Sequence, residues 1–241
     1  MGRSIWFGVT VVVATACLGL GLWQLDRRAQ RQARNAEAIT GRSLPPLDLN
    51  ASETDPEPQR RVIVRGEFDH TAELILRGHL WRGAPGVHVV TPLRLSGSDR
   101  VILVNRGFVP AADGATPDAP VPPEPGEVML EGIVAPVPVT AEGGQPAGRD
   151  GQTSWRRLDL AALRERLGPT LHGVYLLPAT ASAVGPWPRR VEWPGLDEGP
   201  HLSYAIQWFG IGGAVLAFGL IFVLGLGKRP AAEQIVPPPP R

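Results

Sequence analysis

His201-Leu-Ser-Tyr-Ala-Ile-Gln-Trp-Phe209 lies where a polar loop gives way to the second of two long apolar runs. On an α-helix, positions 201, 204, 205, 208 and 212 share one face. That face presents His201, Tyr204 and Trp208 in a row, with small Ala205 and Gly212 between and below them. Two readings fit. A ring nitrogen, a phenol and an indole at the mouth of a membrane helix suit a flat, apolar, metal-containing ligand; the histidine supplies a lone pair and the aromatics a wall. Equally, Tyr and Trp collect at membrane interfaces because their rings are half apolar and half wet, and a histidine near a helix start is solvated or caps it. On residues alone the second reading leads, because the aromatic belt is a general rule.

Outward from this stretch, residues 204–227 read as a transmembrane helix in which Gln207 is the only strongly polar side chain after Tyr204. Gly210, Gly212, Gly213 and Gly219 leave a small-residue face that lets another helix approach closely. Residues 228–241 follow as a cytoplasmic tail, opened by Lys228-Arg229 and ending in a proline run. At the other end of the chain, residues 5–25 hold no charge and read as a first transmembrane helix, too long for the core of a signal peptide. It ends in Leu22-Trp-Gln-Leu-Asp-Arg-Arg28, where Trp23 and Arg27 sit four apart on one face with Gln24 beside them. An indole at headgroup depth and an arginine meeting phosphate describe an ordinary membrane edge. Residues 26–60 read as a helical extension and then a proline-rich linker.

Two spans put both termini on one side and residues 61–203 on the other. Arg27, Arg28, Arg31 and Arg34 after the first span outnumber Arg3 before it, which favours a cytoplasmic middle. Loops of this length translocate largely regardless of charge, so the count does not settle orientation.

The middle region reads as mostly antiparallel β. Residues 61–68 alternate as a strand, with 72–77 as its hairpin partner. Gly83-Ala-Pro-Gly86 reads as a turn before a strand at 87–95, and the apolar run 101–104 as a strand buried on both faces. Gly107 suits a positive φ, and Arg106 suits anchoring a carboxylate. A long loop at 111–126, a strand at 127–135 and a Gly-rich loop at 143–151 follow. Asp159 caps a short helix at 160–167 that Gly168-Pro169 stops, and a last strand lies at 174–177. The fold class is therefore a membrane α+β protein, with two helices flanking a β domain that carries one short helix.

Composition excludes several functions. With 24 basic and 23 acidic residues the chain offers no concentrated basic surface for nucleic acid. Cys17 is the only cysteine, which rules out an intrachain disulfide and any Cys-based zinc or iron–sulfur site. A covalent haem attachment signature is absent, so any haem is held non-covalently. His70, His79 and His88 sit nine residues apart on separate elements with no carboxylate pattern joining them, and are not read as a metal site. No nucleophile elbow, phosphate loop or zinc-protease motif is present, so the chain is not read as an enzyme.

Several blocks carry a family resemblance. Leu20-Gly-Leu-Trp-Gln-Leu-Asp-Arg27 resembles the first-helix signature of the Surfeit locus protein 1 family. Gly66-Glu-Phe-Asp69 and Gly86-Val-His-Val-Val-Thr-Pro-Leu93 resemble its first soluble blocks, and Ile102-Leu-Val-Asn-Arg-Gly-Phe-Val-Pro110 its central block. Trp155-Arg-Arg-Leu-Asp159 resembles its aromatic–Asp element, and the 201–209 stretch the start of its second helix. These blocks occur in order across roughly residues 15–228.

The resemblance implies an assembly factor for cytochrome c oxidase in the bacterial inner membrane, multi-pass, with its central domain periplasmic against the local arginine count. It implies binding of haem a, transient and non-covalent, and delivery toward oxidase subunit I, with haem a synthase and the lipid bilayer as further partners. His201 matches the family's proposed ligand to haem iron and Trp208 its accompanying tryptophan. Tyr204 and Trp23 are then candidate walls for the ring, and Arg27 a candidate partner for a haem propionate. Where the family often has Asn before that histidine, this chain has Glu198-Gly-Pro200, which leaves the imidazole's own hydrogen-bond partner unassigned. A scaffold that steadies an oxidase assembly intermediate without holding haem is the alternative.

Overall fold

Val62 and Val64 are both fully buried while Arg65 between strand partners is exposed, the period-two pattern of a strand with one face in a core. The computed structural model describes residues 2–140, 147–149, 152–179 and 186–224. Most of the Gly-rich loop and the 228–241 tail therefore lie outside the described residues. In chain order the elements are α1 (Gly2–Ser43), β1 (Leu47–Asp48), β2 (Arg61–Phe68), β3 (Leu74–Trp81), β4 (Ala84–Leu95), β5 (Val101–Pro110), β6 (Glu127–Pro136), β7 (Ala147–Arg149), β8 (Gln152–Trp155), α2 (Leu160–Leu167), β9 (Leu171–Pro178) and α3 (His201–Leu224). They form two units, residues 1–35 with 197–241 and residues 36–196.

In the larger unit the sheet closes. Its order β2-β6-β9-β5-β4 returns to β2 because Gly66, Glu67 and Phe68 pair antiparallel with Leu95, Arg94 and Leu93. The result is a five-stranded barrel, antiparallel except for the β5–β9 pair. This is the connectivity of an OB-type Greek-key barrel, which fixes architecture and not ligand. Closure needs close backbone approach: a Cβ on Gly66 would lie 2.0 Å from the Arg94 carbonyl oxygen.

Alternate residues from every barrel strand fill the interior: Val62 and Val64, Leu93 and Leu95, Ile102 and Val104, Leu130 and Val134, Val174 and Leu176. The outer face is covered too. Trp155 and α2, through Leu160 and Leu163, pack over Leu74, Leu103 and Leu171. Residues Trp187 and Trp193 cover two further patches. β5, with layers on both sides, is buried from Val101 through Val109, the behaviour its unbroken apolar start suggested. α2 forms where expected: the Asp159 carboxylate accepts the Ala162 N–H at 3.0 Å, and Gly168 at φ +99° ends the helix.

Two local readings are corrected. β2 and β3 do not form a hairpin; Asp69 caps a 3-10 turn at His70–Ala72, and β3 instead pairs with β4 and β8. The turn into β4 is Arg82-Gly83, both at positive φ, so Ala84 and Pro85 already belong to the strand. β5 also runs past its apolar start through a bulge. Val89 pairs with Gly107 and Val90 with Asn105, leaving Arg106 as the extra residue. The bulge turns the Arg106 side chain to a fully buried position. Gly107 has the positive φ expected, +130°, and a Cβ there would lie 2.1 Å from the Arg189 carbonyl oxygen.

Candidate functional site

In the smaller unit α1 and α3 run antiparallel. Within this unit the least exposed described positions of α1 are Thr10, Ala14, Cys17, Gly21, Gln24, Arg28, Arg31 and Asn35, a strict alternation of four- and three-residue steps. His201, Ala205, Trp208, Gly212, Val215 and Gly219 follow the same rule on α3. That spacing makes a coiled-coil-like seam. Small residues set its depth: a Cβ on Gly212 would lie 3.1 Å from Cys17 Cβ, and the Phe209 ring lies over Gly21. Gly219 packs on Thr10, while Gly210 and Gly213 face nothing, so the small-residue face is narrower than the glycine count suggested. Both helices are long and apolar enough to cross a membrane.

The seam changes character at one end. The Arg28 guanidinium donates to Glu198 at 2.8 Å, and Arg31 to the Asp197 carboxylate at 3.3 Å. Gln32 donates to Glu198 at 2.8 Å, and Asn35 to the Asp197 carbonyl at 3.0 Å. Hydrogen bonds from Gln32 and then Arg28 hold the Glu198 carboxyl below its ordinary value. These exposed contacts fix register more than they add stability.

Between the small-residue stretch and this polar end sits His201. Its Nδ1 is 2.9 Å from the Gln24 Oε1. An amide oxygen only accepts, so Nδ1 carries the proton and Nε2 keeps its lone pair. No described side chain pairs with Nε2. Beside it, Gly199 has φ +68°, and a Cβ there would come within 3.6 Å of Nε2. A Cβ at 199 would rest in ordinary van der Waals contact with the Cδ2–Nε2 edge of the ring.

The other expected site residues are placed as follows. Trp208 is half-buried in the seam two turns from His201, and Tyr204 is 46% exposed on its flank. Trp23 is 50% exposed, and the Arg27 guanidinium lies 5.6 Å from its ring centre while also donating to Gln30. Among the described residues no ring contact or hydrogen bond joins Trp208, Tyr204 or Trp23 to His201. The structure brings His201 together with Gln24, which the sequence had placed beside Trp23 and Arg27 without a role.

The sequence profile of the SURF1 family matches residues 11–213. That span takes in most of both helices' facing segments and the whole barrel. The chain belongs to the SURF1 family. A SURF1-like protein of Monosiga brevicollis is 30% identical over 100% of this chain and 94% of its own length. Rat Surfeit locus protein 1 is 30% identical over 86% of this chain and 71% of its own. An uncharacterized SURF1-like protein of Mycobacterium bovis is 28% identical over 96% of this chain and 85% of its own.

Among the described residues of the SURF1-family barrel no group of three potential metal ligands forms. His70 bonds the Glu124 backbone through Nε2. His172 pairs through Nδ1 with Asp55 at 2.6 Å. His79 and His88 stack face to face at 3.7 Å. Burial lowers the pKa of His79, and burial together with the nearby His79 pushes His88 down to about 3.

The His88 shift has a sign that can be measured. In the unfolded chain an imidazole takes up its proton near pH 6.5, so the unfolded state binds it first. The contribution of His88 to stability is complete above that pH and is lost as pH falls toward about 3. Denaturant unfolding between pH 7 and pH 5 should show a loss of up to about 1.4 kcal/mol per pH unit from this group. The variant His88→Gln should lack that part of the slope; an unchanged slope would assign the acid sensitivity elsewhere.

Proposed function

We propose that this chain is an inner-membrane assembly factor for cytochrome c oxidase that holds haem a at His201 and passes it toward oxidase subunit I. The observation that carries the reading is the Gln24–His201 hydrogen bond, which presents Nε2 as a lone pair in a polar layer capping an otherwise apolar helix pair. Metal-binding histidines are held in this way, by a partner on the other ring nitrogen. The residues present fit a haem: a fixed imidazole, a glycine beside its free edge, and indole and phenol rings exposed on the same helix ends.

In this reading His201 would hold the haem iron through its Nε2 lone pair, Gln24 would fix its tautomer, and Trp208, Tyr204 and Trp23 would offer apolar ring faces. Arg27 is the cation for a propionate, since its present contacts are Trp23 and Gln30 and not a carboxylate. A single neutral ligand on a half-exposed face suits cargo that has to be released, to subunit I from a synthase that made it. The central domain lies in the periplasm. The opposing arginine vote is weakened because Arg28 and Arg31 are engaged by Glu198 and Asp197.

The test is a visible spectrum of detergent-purified protein made in cells that synthesise haem a, beside His201→Ala. Wild type should carry a haem a band, and the variant should lose it at equal expression and folding. Equal haem in both would move the ligand away from His201. Absence of haem from both, with oxidase assembly still dependent on the chain, would make it a scaffold that binds no haem.

A further inference from the structure

The barrel unit holds a half-open cavity of about 470 Å3 on the side opposite in chemistry to its apolar interior, lined chiefly by His79, Trp81, Arg82, His88, Phe108 and Arg189. Its volume falls in the range of small-ligand pockets. The floor is aromatic. Phe108 is buried and packs its ring against Gly86, where a Cβ would lie 2.3 Å from it. Trp81 meets both Phe108 and Trp187 at 6.1 Å.

The polar groups around that floor are nearly all donors. Two guanidiniums lie over the one Trp81 ring, Arg82 at 4.9 Å and Arg189 at 4.5 Å from its centre. Neither has a carboxylate partner among the described residues. The neighbouring Arg190 is already committed, donating to the Arg106 carbonyl and facing Glu124. Glu192, exposed, is the one carboxylate on the cavity wall.

The imidazoles add another donor. Asn105 Oδ1 accepts the Gly107 N–H, so its amide nitrogen faces His88 Nδ1 at 3.3 Å. Asn105 therefore donates to Nδ1, and His88 carries its own proton on Nε2. His79, stacked on it, extends the flat wall.

Arg82 sits at φ +50° in a two-residue hairpin turn, a position that favours Asn, Asp or Gly. Holding a long basic side chain in the left-handed region carries a backbone cost.

We propose that this cavity binds a carboxylate carried on a flat apolar group, with the ring against Phe108 and the stacked imidazoles and the carboxylate taken by Arg82 and Arg189. Two guanidiniums lining one cavity, neither with a carboxylate partner among the described residues, call for an anion. The indole, phenyl and stacked imidazole surfaces call for a planar body rather than a bare ion. The site lies wholly in the barrel and does not depend on haem at His201. Its natural source is either a free aromatic acid or an acidic segment of a partner protein with an aromatic side chain beside its carboxylate.

The full chain in detergent, titrated with 2-naphthoate and followed by ligand fluorescence anisotropy, tests the site. Saturable binding is expected, weakened about tenfold or more in Arg82→Gln/Arg189→Gln and by a similar factor when neutral 2-naphthylmethanol replaces the acid. Both arginines are exposed, so the variant should unfold at the wild-type midpoint. Equal binding by wild type and the double variant, or no saturable binding at millimolar naphthoate, overturns the proposal. A capped Glu-Trp-Glu peptide that displaces naphthoate identifies a protein segment as the source; naphthoate binding without displacement identifies a free acid.

Discussion

Replacing Arg106 by Ala should lower the stability of the barrel by about 3–5 kcal/mol, a fall in its thermal midpoint of roughly 10 °C or more. The bulge in β5 places this guanidinium at 0% exposure, where it donates through Nη1 to Glu73 and through Nε to Glu124, both at 3.0 Å. Its Nη2 donates to the Pro122 carbonyl. Glu73 is further held by the Thr91 hydroxyl at 2.8 Å. Removing the cation takes from Glu124, which is 8% exposed, its Arg106 Nε donor at 3.0 Å, with Arg190 at 3.5 Å. The penalty comes from a buried carboxylate losing that donor more than from the lost attraction. Arg106 also ties two separate segments to the barrel, the start of β3 through Glu73 and the 111–126 loop through Glu124. Arg106→Lys should recover little, because one ammonium cannot satisfy a fork of three acceptors. Arg106→Met combined with Glu73→Gln should recover more than Lys does, since Glu73 is then neutral and Glu124 keeps Arg190 opposite it. Circular dichroism melts of the four proteins decide it. A midpoint for Arg106→Ala within a few degrees of wild type would mean water reaches both carboxylates and the network is not buried in solution.

The same residue shows where sequence stops being informative. A cation after an apolar strand suggests that it meets a carboxylate, and Gly107 after it suggests positive φ; both are local properties of the chain. That Arg106 would be fully buried depends on a bulge defined against β4, and on Glu73 and Glu124 lying 33 and 18 residues away. Alternation made β2 legible as a strand, segments between turn signals marked β4, β6 and part of β9, and Asp159 with Gly168 made α2 legible end to end. Barrel closure was not legible, because it rests on Gly66 meeting the Arg94 carbonyl across a pairing no local pattern encodes. The hairpin misreading has the same origin: β2 and β3 are neighbours in sequence, but Asp69 turns the chain before they pair. At the membrane helices, His201, Trp208 and Tyr204 stood out by type and spacing. Gln24 did not, because its role appears only when the two helix seams are laid antiparallel, 177 residues apart.

Gln24→Ala should weaken haem retention by about 10- to 100-fold without displacing either helix, if His201 is the ligand of the proposed function. Gln24 sits in the seam one step beyond Gly21, so truncating it leaves the Gly21–Phe209 and Cys17–Gly212 contacts intact. What is lost is the acceptor at 2.9 Å that keeps the proton on Nδ1. Without it the imidazole samples the other tautomer, with Nε2 protonated and unable to ligate, and the ring turns freely. Gln24→Glu separates this account from simple loss of packing. A carboxylate still accepts from Nδ1 and makes Nε2 the stronger donor to a metal, so haem should be retained at wild-type level or better. Gln24→Lys keeps the length and offers only donors, which forces Nδ1 to accept and puts the proton on Nε2; it should behave like Ala or worse. The ratio of haem band to protein across Ala, Glu and Lys reads out hydrogen-bond direction, which a merely structural glutamine would not track. Equal haem in all three, with His201→Ala still empty, would keep the histidine as ligand and remove Gln24 from its positioning.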